Sequence, residues 1–324
     1  MQKNELSSFV KQAAFEVGFD ACGIAKAEEL TEDAAYLKQW LSEGKHGDMY
    51  FLTQNFEKRT DPRQLVPGCK SVVVVLLNYF PKKPQNPLAP QIAKYAYSAV
   101  DYHFFIKEKL KQLEQKITER FGSEIVASDF QHAFVDSAPV LERRWAQRAG
   151  LGWIGKNMQL IHPHLGSFIF IGVLMLNSEA EYDVPIDSHC GNCTRCIDSC
   201  PTNALNINGL NATKCLSYLT IESKYGIDSQ FHAQLSNYAL GCDICADVCP
   251  WNKKWAIPHK HTELSPINQS FVTESVLEWS AEDWHQLSKE KFNQIFKKSA
   301  LKRAGYEKLK QNIEILKKTT RFEK

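Results

Sequence analysis

Cys190, Cys193, Cys196 and Cys200 are separated by two, two and three residues and are followed at once by Pro201. This is the run that holds cubane iron-sulfur clusters, and it constrains the folding of its loop more than any hydrophobic pattern in the chain. A second set, Cys215, Cys242, Cys245 and Cys249, is likewise closed by a proline, Pro250, so the pattern places eight of the ten cysteines. The chain is built to move single electrons.

Three cysteines two residues apart can wrap one face of a cube, while the fourth of the run points away and serves the other cluster. Cluster one is therefore expected to take Cys190, Cys193, Cys196 and Cys249, and cluster two Cys200, Cys215, Cys242 and Cys245. Closely spaced cysteine pairs also build disulfide frameworks and zinc knuckles. Zinc, however, needs neither the third cysteine of the run nor the crossed fourth. Cys22 and Cys69 fall outside the pattern and read as small buried apolar residues.

At 324 residues and 44% hydrophobic composition, the chain has enough material for two domains and a sizeable core. Its start, Met1-Gln-Lys-Asn-Glu-Leu6, lacks an apolar signal core, and no apolar run approaches a membrane span. Arg143 and Arg144 lie mid-chain and form no twin-arginine export signal. Thiolates that must stay reduced for iron then point to the cytoplasm, with no membrane partner. The net charge of +2 hides an asymmetry, because residues 289–324 carry twelve Lys or Arg against four Glu. A basic end on a mildly acidic body suits a polyanion such as nucleic acid, although a solvated helix face has the same composition.

Residues 2–17 and 31–43 read as helices flanking a short strand at Phe19 to Ala25, with Gly18 as the first helix stop. Ser71 to Leu77 is an unbroken apolar and β-branched run, expected to form a strand buried on both faces. Pro81 to Pro90 is an extended loop, Ile106, Leu110, Leu113 and Ile117 share one helical face, and Phe168 to Leu176 is another buried strand. The cluster insert runs from near His189 to near Pro258 after a polar connector. Beyond Pro266 the chain turns helical, with Ala304, Leu309, Ile313 and Leu316 marking an apolar stripe. Strands and helices mix without regular alternation, which favours α+β over a doubly wound sheet. Domains are expected at 1–180, 181–262 and 263–324.

A second informative segment begins at Phe134-Val-Asp-Ser-Ala-Pro-Val140, where Asp136 stands between an apolar run and a helix expected to hold Pro139 in its first turn. It continues as Glu142-Arg-Arg-Trp-Ala-Gln-Arg-Ala-Gly-Leu-Gly-Trp-Ile-Gly-Lys-Asn157. Gly150, Gly152 and Gly155 let backbone approach a partner closely, Trp153 offers a flat apolar surface, and Lys156 and Asn157 offer polar contacts. The plainer reading is a glycine-rich helix stop with a core tryptophan and an Asp136 that only caps the helix.

Together these motifs resemble epoxyqueuosine reductase. The resemblance rests on Val135-Asp-Ser-Ala-Pro-Val-Leu-Glu-Arg143, Arg148-Ala-Gly-Leu-Gly-Trp-Ile-Gly-Lys-Asn157, Cys190-Gly-Asn-Cys-Thr-Arg-Cys-Ile-Asp-Ser-Cys-Pro201 and Gly241-Cys-Asp-Ile-Cys-Ala-Asp-Val-Cys-Pro-Trp-Asn252. Shorter matches are Arg59-Thr-Asp-Pro-Arg63, Asp101-Tyr-His103 and Leu216-Ser-Tyr-Leu-Thr-Ile-Glu222. The resemblance implies reduction of epoxyqueuosine to queuosine at the wobble position of the tRNAs for Asp, Asn, His and Tyr, using cobalamin and two four-iron clusters. It implies an N-terminal α/β sandwich for cobalamin, a ferredoxin-like two-cluster domain, and a short helical end like a truncated HEAT repeat. It makes Asp136 the proton donor and sets Arg59, Tyr97, Lys156, Asn157, Ser217 and Asp243 around the corrin or its tail. Lys224 becomes a tRNA contact, and Lys297, Lys298, Lys302 and Arg303 of the basic end a tRNA platform. Ala96-Tyr-Ser-Ala-Val100 departs from the glycine-containing family stretch, which bears on Tyr97. A monomer served by flavodoxin or ferredoxin is expected.

Reductive opening of an epoxide needs a strong nucleophile or electron donor at carbon and a proton for the departing oxygen. No side chain supplies the first, so a cofactor must. An acid such as Asp136 beside an apolar cofactor face would be desolvated, which favours its protonated form. Asp187-Ser-His189 runs into Cys190-Gly-Asn192, with asparagine where the histidine-on cobalamin motif requires glycine, so no protein histidine is expected under cobalt. Two rival readings are an electron-transfer module, for which two clusters would suffice, and a reductive dehalogenase, a class typically exported.

Overall fold

The computed structural model describes residues 2–126, 132–266, 268–269 and 272–320. They form two compact units, the first of residues 1–44, 50–78 and 103–193 and the second of 45–49, 79–102 and 194–324. Segments 45–49 and 79–102, assigned by sequence to the first domain, pack in the second unit, and the C-terminal segment shares that unit with most of the cysteines.

The first unit is built on four strands, β1 (Ala21–Lys26), β2 (Ser71–Asn78), β3 (Ala133–Phe134) and β4 (Ile169–Leu176), in the order β1-β2-β4-β3. Every neighbouring pair is antiparallel, in keeping with the α+β expectation. All eight residues of β2 are buried, because side chains alternate and both faces are covered. On one face Val72, Val74 and Leu76 join Trp145 and Ala146 of the helix Glu142–Arg148, and Ala149 just beyond its end. On the other lies the helix Tyr102–Phe121, which buries Ile106, Leu110, Leu113 and Ile117. Its approach explains Gly172 of β4, since a Cβ there would stand 3.0 Å from Ile106 Cγ2 and 3.2 Å from Leu110 Cδ1.

The helix Lys3–Val17 lies beside Tyr102–Phe121, with the Phe9 and Phe121 rings 5.3 Å apart and Lys109 Nζ donating to the Val17 carbonyl at 2.8 Å. It stops at Gly18, whose φ of +96° glycine adopts without strain, as the sequence suggests. One expectation fails nearby. Pro139 lies outside the helix, which begins at Glu142, because the chain first makes an irregular turn that buries Val140 in the core.

In the second unit Tyr238–Leu240 pairs in parallel with Gln91–Ile92, and Asn312 of the helix Tyr306–Thr320 fastens the middle. Asn312 is fully buried and donates through Nδ2 to the Thr220 carbonyl at 3.0 Å and the Ala239 carbonyl at 2.8 Å. Of the apolar stripe read from sequence, Leu309, Ile313 and Leu316 point inward from this helix. Ala304 does not belong to it, because the chain makes a short turn at Ala300–Arg303 and restarts at Tyr306. Arg321 and Lys324 of the basic end lie outside the described residues.

Candidate active site

Asp136 leaves β3 two residues after Phe134, with the intervening Val135 fully buried. Its φ of +48° lies in the left-handed region, where aspartate is among the few tolerated side chains. The backbone amide of Asp136 donates to Glu142 Oε1 at 3.0 Å, and Oδ2 stands 3.6 Å from His103 Nε2. Asp136 is thus no helix cap. The cap position is Leu141, and the Asp136 side chain is 57% exposed. The chain itself leaves this carboxylate open, where a cofactor face could cover it. The perturbed acid is its neighbour Glu142, pushed up to about 7 by burial and then by the Asp136 carboxylate. His103 and Glu142 both sit in motifs visible in the sequence, yet nothing in their spacing announces that they meet Asp136.

Arg59 and Asn157 are 7% and 3% exposed. Arg59 Nη2 donates to the Phe51 carbonyl at 2.9 Å, and burial disfavours its charge while Glu142 supports it. Asn157 sits in the turn of a β-hairpin that pairs Trp153–Ile154 with Leu160–Ile161, and its Oδ1 accepts from the Gln159 amide at 3.2 Å. Each retains a buried donor that the chain does not satisfy, Nε of Arg59 and Nδ2 of Asn157. Buried donors left this way are uncommon and suit a ligand rich in oxygen acceptors, such as the amide arms and phosphate tail of cobalamin. Lys156 is already engaged. Its Nζ donates to the Gly191 carbonyl at 2.7 Å and the Cys193 carbonyl at 3.1 Å, so it braces the first cysteine loop. His189 packs edge-on against Trp153 at 5.0 Å.

Among the described residues no two cysteines form a disulfide, which leaves the disulfide framework without support. Cys190 and Cys193 close the first unit and the other six cluster candidates belong to the second. Within the second unit, Cys215 is raised by burial and by Cys200, and Cys242 is pushed up to about 12 by burial and by both Cys215 and Cys200. Cys245 is raised by burial, then by Cys242, Cys215 and Cys196. Cys200, Cys215 and Cys242 thus oppose one another's ionisation, and Cys245 feels Cys242, Cys215 and Cys196, a crowding of thiolate charge that bound iron would discharge. The Ser217 amide faces the Cys215 sulfur. Asp243, 7% exposed, accepts from the Lys94 amide at 2.7 Å and lies 3.4 Å from its ammonium, which also pairs with Asp247 at 2.7 Å. Tyr97 is 6% exposed and packs inside this unit, burial pushing its phenol well above the usual range.

Of the residues expected to meet tRNA, Lys224, Lys297, Lys298, Lys302 and Arg303 are all exposed. Arg303 is partly neutralised by Glu222, 2.9 Å away. Among the described residues no helix is long and apolar enough to cross a membrane.

A doubled set of cluster cysteines in a mixed α and β fold defines an iron-sulfur oxidoreductase. Family models sharpen that class: "4Fe-4S double cluster binding domain" matches residues 189–252, and "Epoxyqueuosine reductase QueG, DUF1730" matches residues 59–137. The chain is 45% identical to an epoxyqueuosine reductase of Leadbetterella byssophila over 97% of its own length and 99% of the relative's. It therefore belongs to the epoxyqueuosine reductase family. A crystal structure of epoxyqueuosine reductase with an epoxyqueuosine-modified tRNA-Tyr stem loop superposes with a TM-score of 0.81 and 29% identity, covering 96% of this chain and 80% of that one. A Bacillus subtilis epoxyqueuosine reductase whose catalytic aspartate loop is swung out of the active site matches as well, at 0.81 and 28%, covering 96% of this chain and 81% of that one. A catabolic reductive dehalogenase shares the fold more distantly, at 0.50 and 17% over 79% of this chain and 33% of that one.

Proposed function

We propose that this chain reduces epoxyqueuosine to queuosine at the wobble position of tRNA, with Asp136 as the acid. The observation that carries the reading is the Asp136 carboxylate, turned out of the sheet on a left-handed backbone and held at its amide by Glu142, in a chain of this family. Removing an epoxide oxygen to leave an alkene takes two electrons and two protons, breaks two C–O bonds and releases water. Asp136 delivers a proton to the departing oxygen. Cobalamin, when bound, supplies the nucleophile or electron donor at carbon that no side chain can provide. Arg59 and Asn157 would hold its oxygen-rich arms through their unsatisfied donors. Lys156, Ser217, Asp243 and Tyr97 act less directly, bracing the cysteine loops and the interior around them.

Cys190, Cys193, Cys196 and Cys249 would hold one four-iron cluster and Cys200, Cys215, Cys242 and Cys245 the other, and the pair would supply the electrons. The mutual influence of Cys200, Cys215 and Cys242, with that of Cys215 and Cys242 on Cys245, supports the second set. A reduced flavodoxin or ferredoxin of the cytoplasm is the donor, and the enzyme acts as a monomer. The test is mass analysis of tRNA from cells lacking the protein. Accumulated epoxyqueuosine is the expected result, and unaltered queuosine overturns the reading.

A further inference from the structure

Tyr225 is 93% exposed, more than any other large hydrophobic side chain among the described residues. A single exposed aromatic is ordinary. The turn beneath it is not ordinary, because it is fastened at each of its residues but the tyrosine. The Ser223 amide donates to the Tyr218 carbonyl at 3.0 Å, and Ser223 Oγ donates to the Gly226 carbonyl at 2.6 Å. The Lys224 amide donates at 2.9 Å to Asp48 Oδ2, an atom that also accepts from the Tyr218 hydroxyl at 3.0 Å. Lys308 Nζ donates to the Ser223 carbonyl from the helix Tyr306–Thr320. Gly226 closes the turn at φ +84°, where a side chain would be strained.

Here the ring is held outward, contributes nothing to the core, and stands next to the exposed Lys224. We propose that Tyr225 is a stacking platform for an unpaired base of the RNA loop, with Lys224 beside it for the backbone phosphate. The inference rests on tRNA being the substrate. Bases splayed from single-stranded loops are commonly held on aromatic faces, and a rigid mount limits the ordering cost of binding. The charge of the adjoining basic segment favours RNA over a protein partner for this ring.

The experiment measures binding of a fluorescent anticodon stem-loop RNA to the intact holoenzyme across a salt series, for wild type, Tyr225→Ala, Tyr225→Trp and Lys224→Gln. Stacking on one base by alanine substitution corresponds to a loss of roughly 5- to 150-fold in affinity. Tyr225→Ala should show that loss with the salt slope unchanged, and Tyr225→Trp should restore binding. Lys224→Gln should instead flatten the slope by about one phosphate contact. Because the ring is outside the core, Tyr225→Ala should melt at the wild-type temperature, so the comparison does not depend on a damaged fold. Affinity of Tyr225→Ala within twofold of wild type overturns the platform while leaving the substrate reading intact. Wild-type protein that fails to bind the RNA at any salt overturns both.

Discussion

The two units handle their polar groups in opposite ways. In the second, the cysteine loops are secured from behind: Thr220 Oγ1 accepts from the Gly241 amide at 2.9 Å, just ahead of Cys242, and Asn312 fixes Thr220 and Ala239 in turn. In the first, Asp136 stands on an exposed turn, its amide donating to Glu142 Oε1 at 3.0 Å and its carboxylate 3.6 Å from His103 Nε2. Electron transfer rewards sites that do not rearrange, since cluster potentials depend on fixed hydrogen bonds and fixed burial. Proton delivery needs an acid that can meet a substrate and then release it, and a lightly held loop permits that.

The comparison is most exposed at Cys200. If the second unit holds the second set complete, Cys200→Ser should abolish the cluster shared with Cys215, Cys242 and Cys245 and spare the one on Cys190, Cys193 and Cys196. Iron counting with Mössbauer or EPR spectra reads this directly, and selective loss of the other cluster would reverse the crossed assignment. Turnover driven by a protein donor should vanish with it.

Asp136→Asn tests the acid side. The variant should retain cobalamin and both clusters yet lose about 100- to 10,000-fold in single-turnover reduction with chemically reduced enzyme. That experiment bypasses electron delivery and isolates protonation. A rate within about threefold of wild type would remove Asp136 from the mechanism, well short of the loss expected for an acid.

What could be read in advance follows the same division. The β2 run and the 3.6-residue spacing of Ile106, Leu110, Leu113 and Ile117 declare their burial in one dimension, and the cysteine spacing declares its chemistry. The turn around Asp136 does not. Its position depends on φ of one residue and on a hydrogen bond to Glu142 six positions later, and Pro139 gave a false helix start because proline suits a helix's first turn and an irregular loop equally well. His103 reaches Asp136 from a different helix, a contact only the fold creates. Nor does any periodicity reveal that Lys156 donates to two carbonyls of the cysteine loop.

A smaller effect is expected from the basic end. Reversing the charge of Lys297, Lys298, Lys302 and Arg303 should weaken tRNA binding by about tenfold or more at low salt and flatten the salt slope, since each neutralised phosphate releases counterions. Arg303 should contribute least, because Glu222 already pairs with it. Clusters and their spectra should be untouched. An unchanged slope would mark these residues as solubility charges.

Glu142 offers the finest discrimination, because its two roles separate by substitution. Glutamine retains an oxygen that can accept the Asp136 amide, whereas alanine removes the restraint. Burial and the Asp136 charge raise Glu142 to about 7, so below that pH it is mostly neutral and above it the site acquires a second negative charge. Arg59 and Arg143 feel that charge, and His103 faces Asp136 from the neighbouring helix. Two carboxyls this close titrate as a pair, each charge opposing the other. Removing the Glu142 charge by Glu142→Gln should therefore let the pair surrender its catalytic proton at lower pH, moving the alkaline limb of kcat downward. Turnover near pH 6 should stay within about twofold of wild type and fall severalfold near pH 8, modest beside the loss of the acid itself. The stability linkage has the opposite sense. A carboxyl raised in the folded state favours folding below its unfolded value and loses that contribution as pH rises toward 7, so Glu142→Gln should flatten the decline in Tm across that window. Glu142→Ala should lower kcat at every pH and speed hydrogen exchange at the Asp136 amide. If Glu142→Gln leaves the alkaline limb in place while Glu142→Ala still loosens the loop, Glu142 is a mechanical restraint alone and the acid side of the molecule rests on Asp136 and His103.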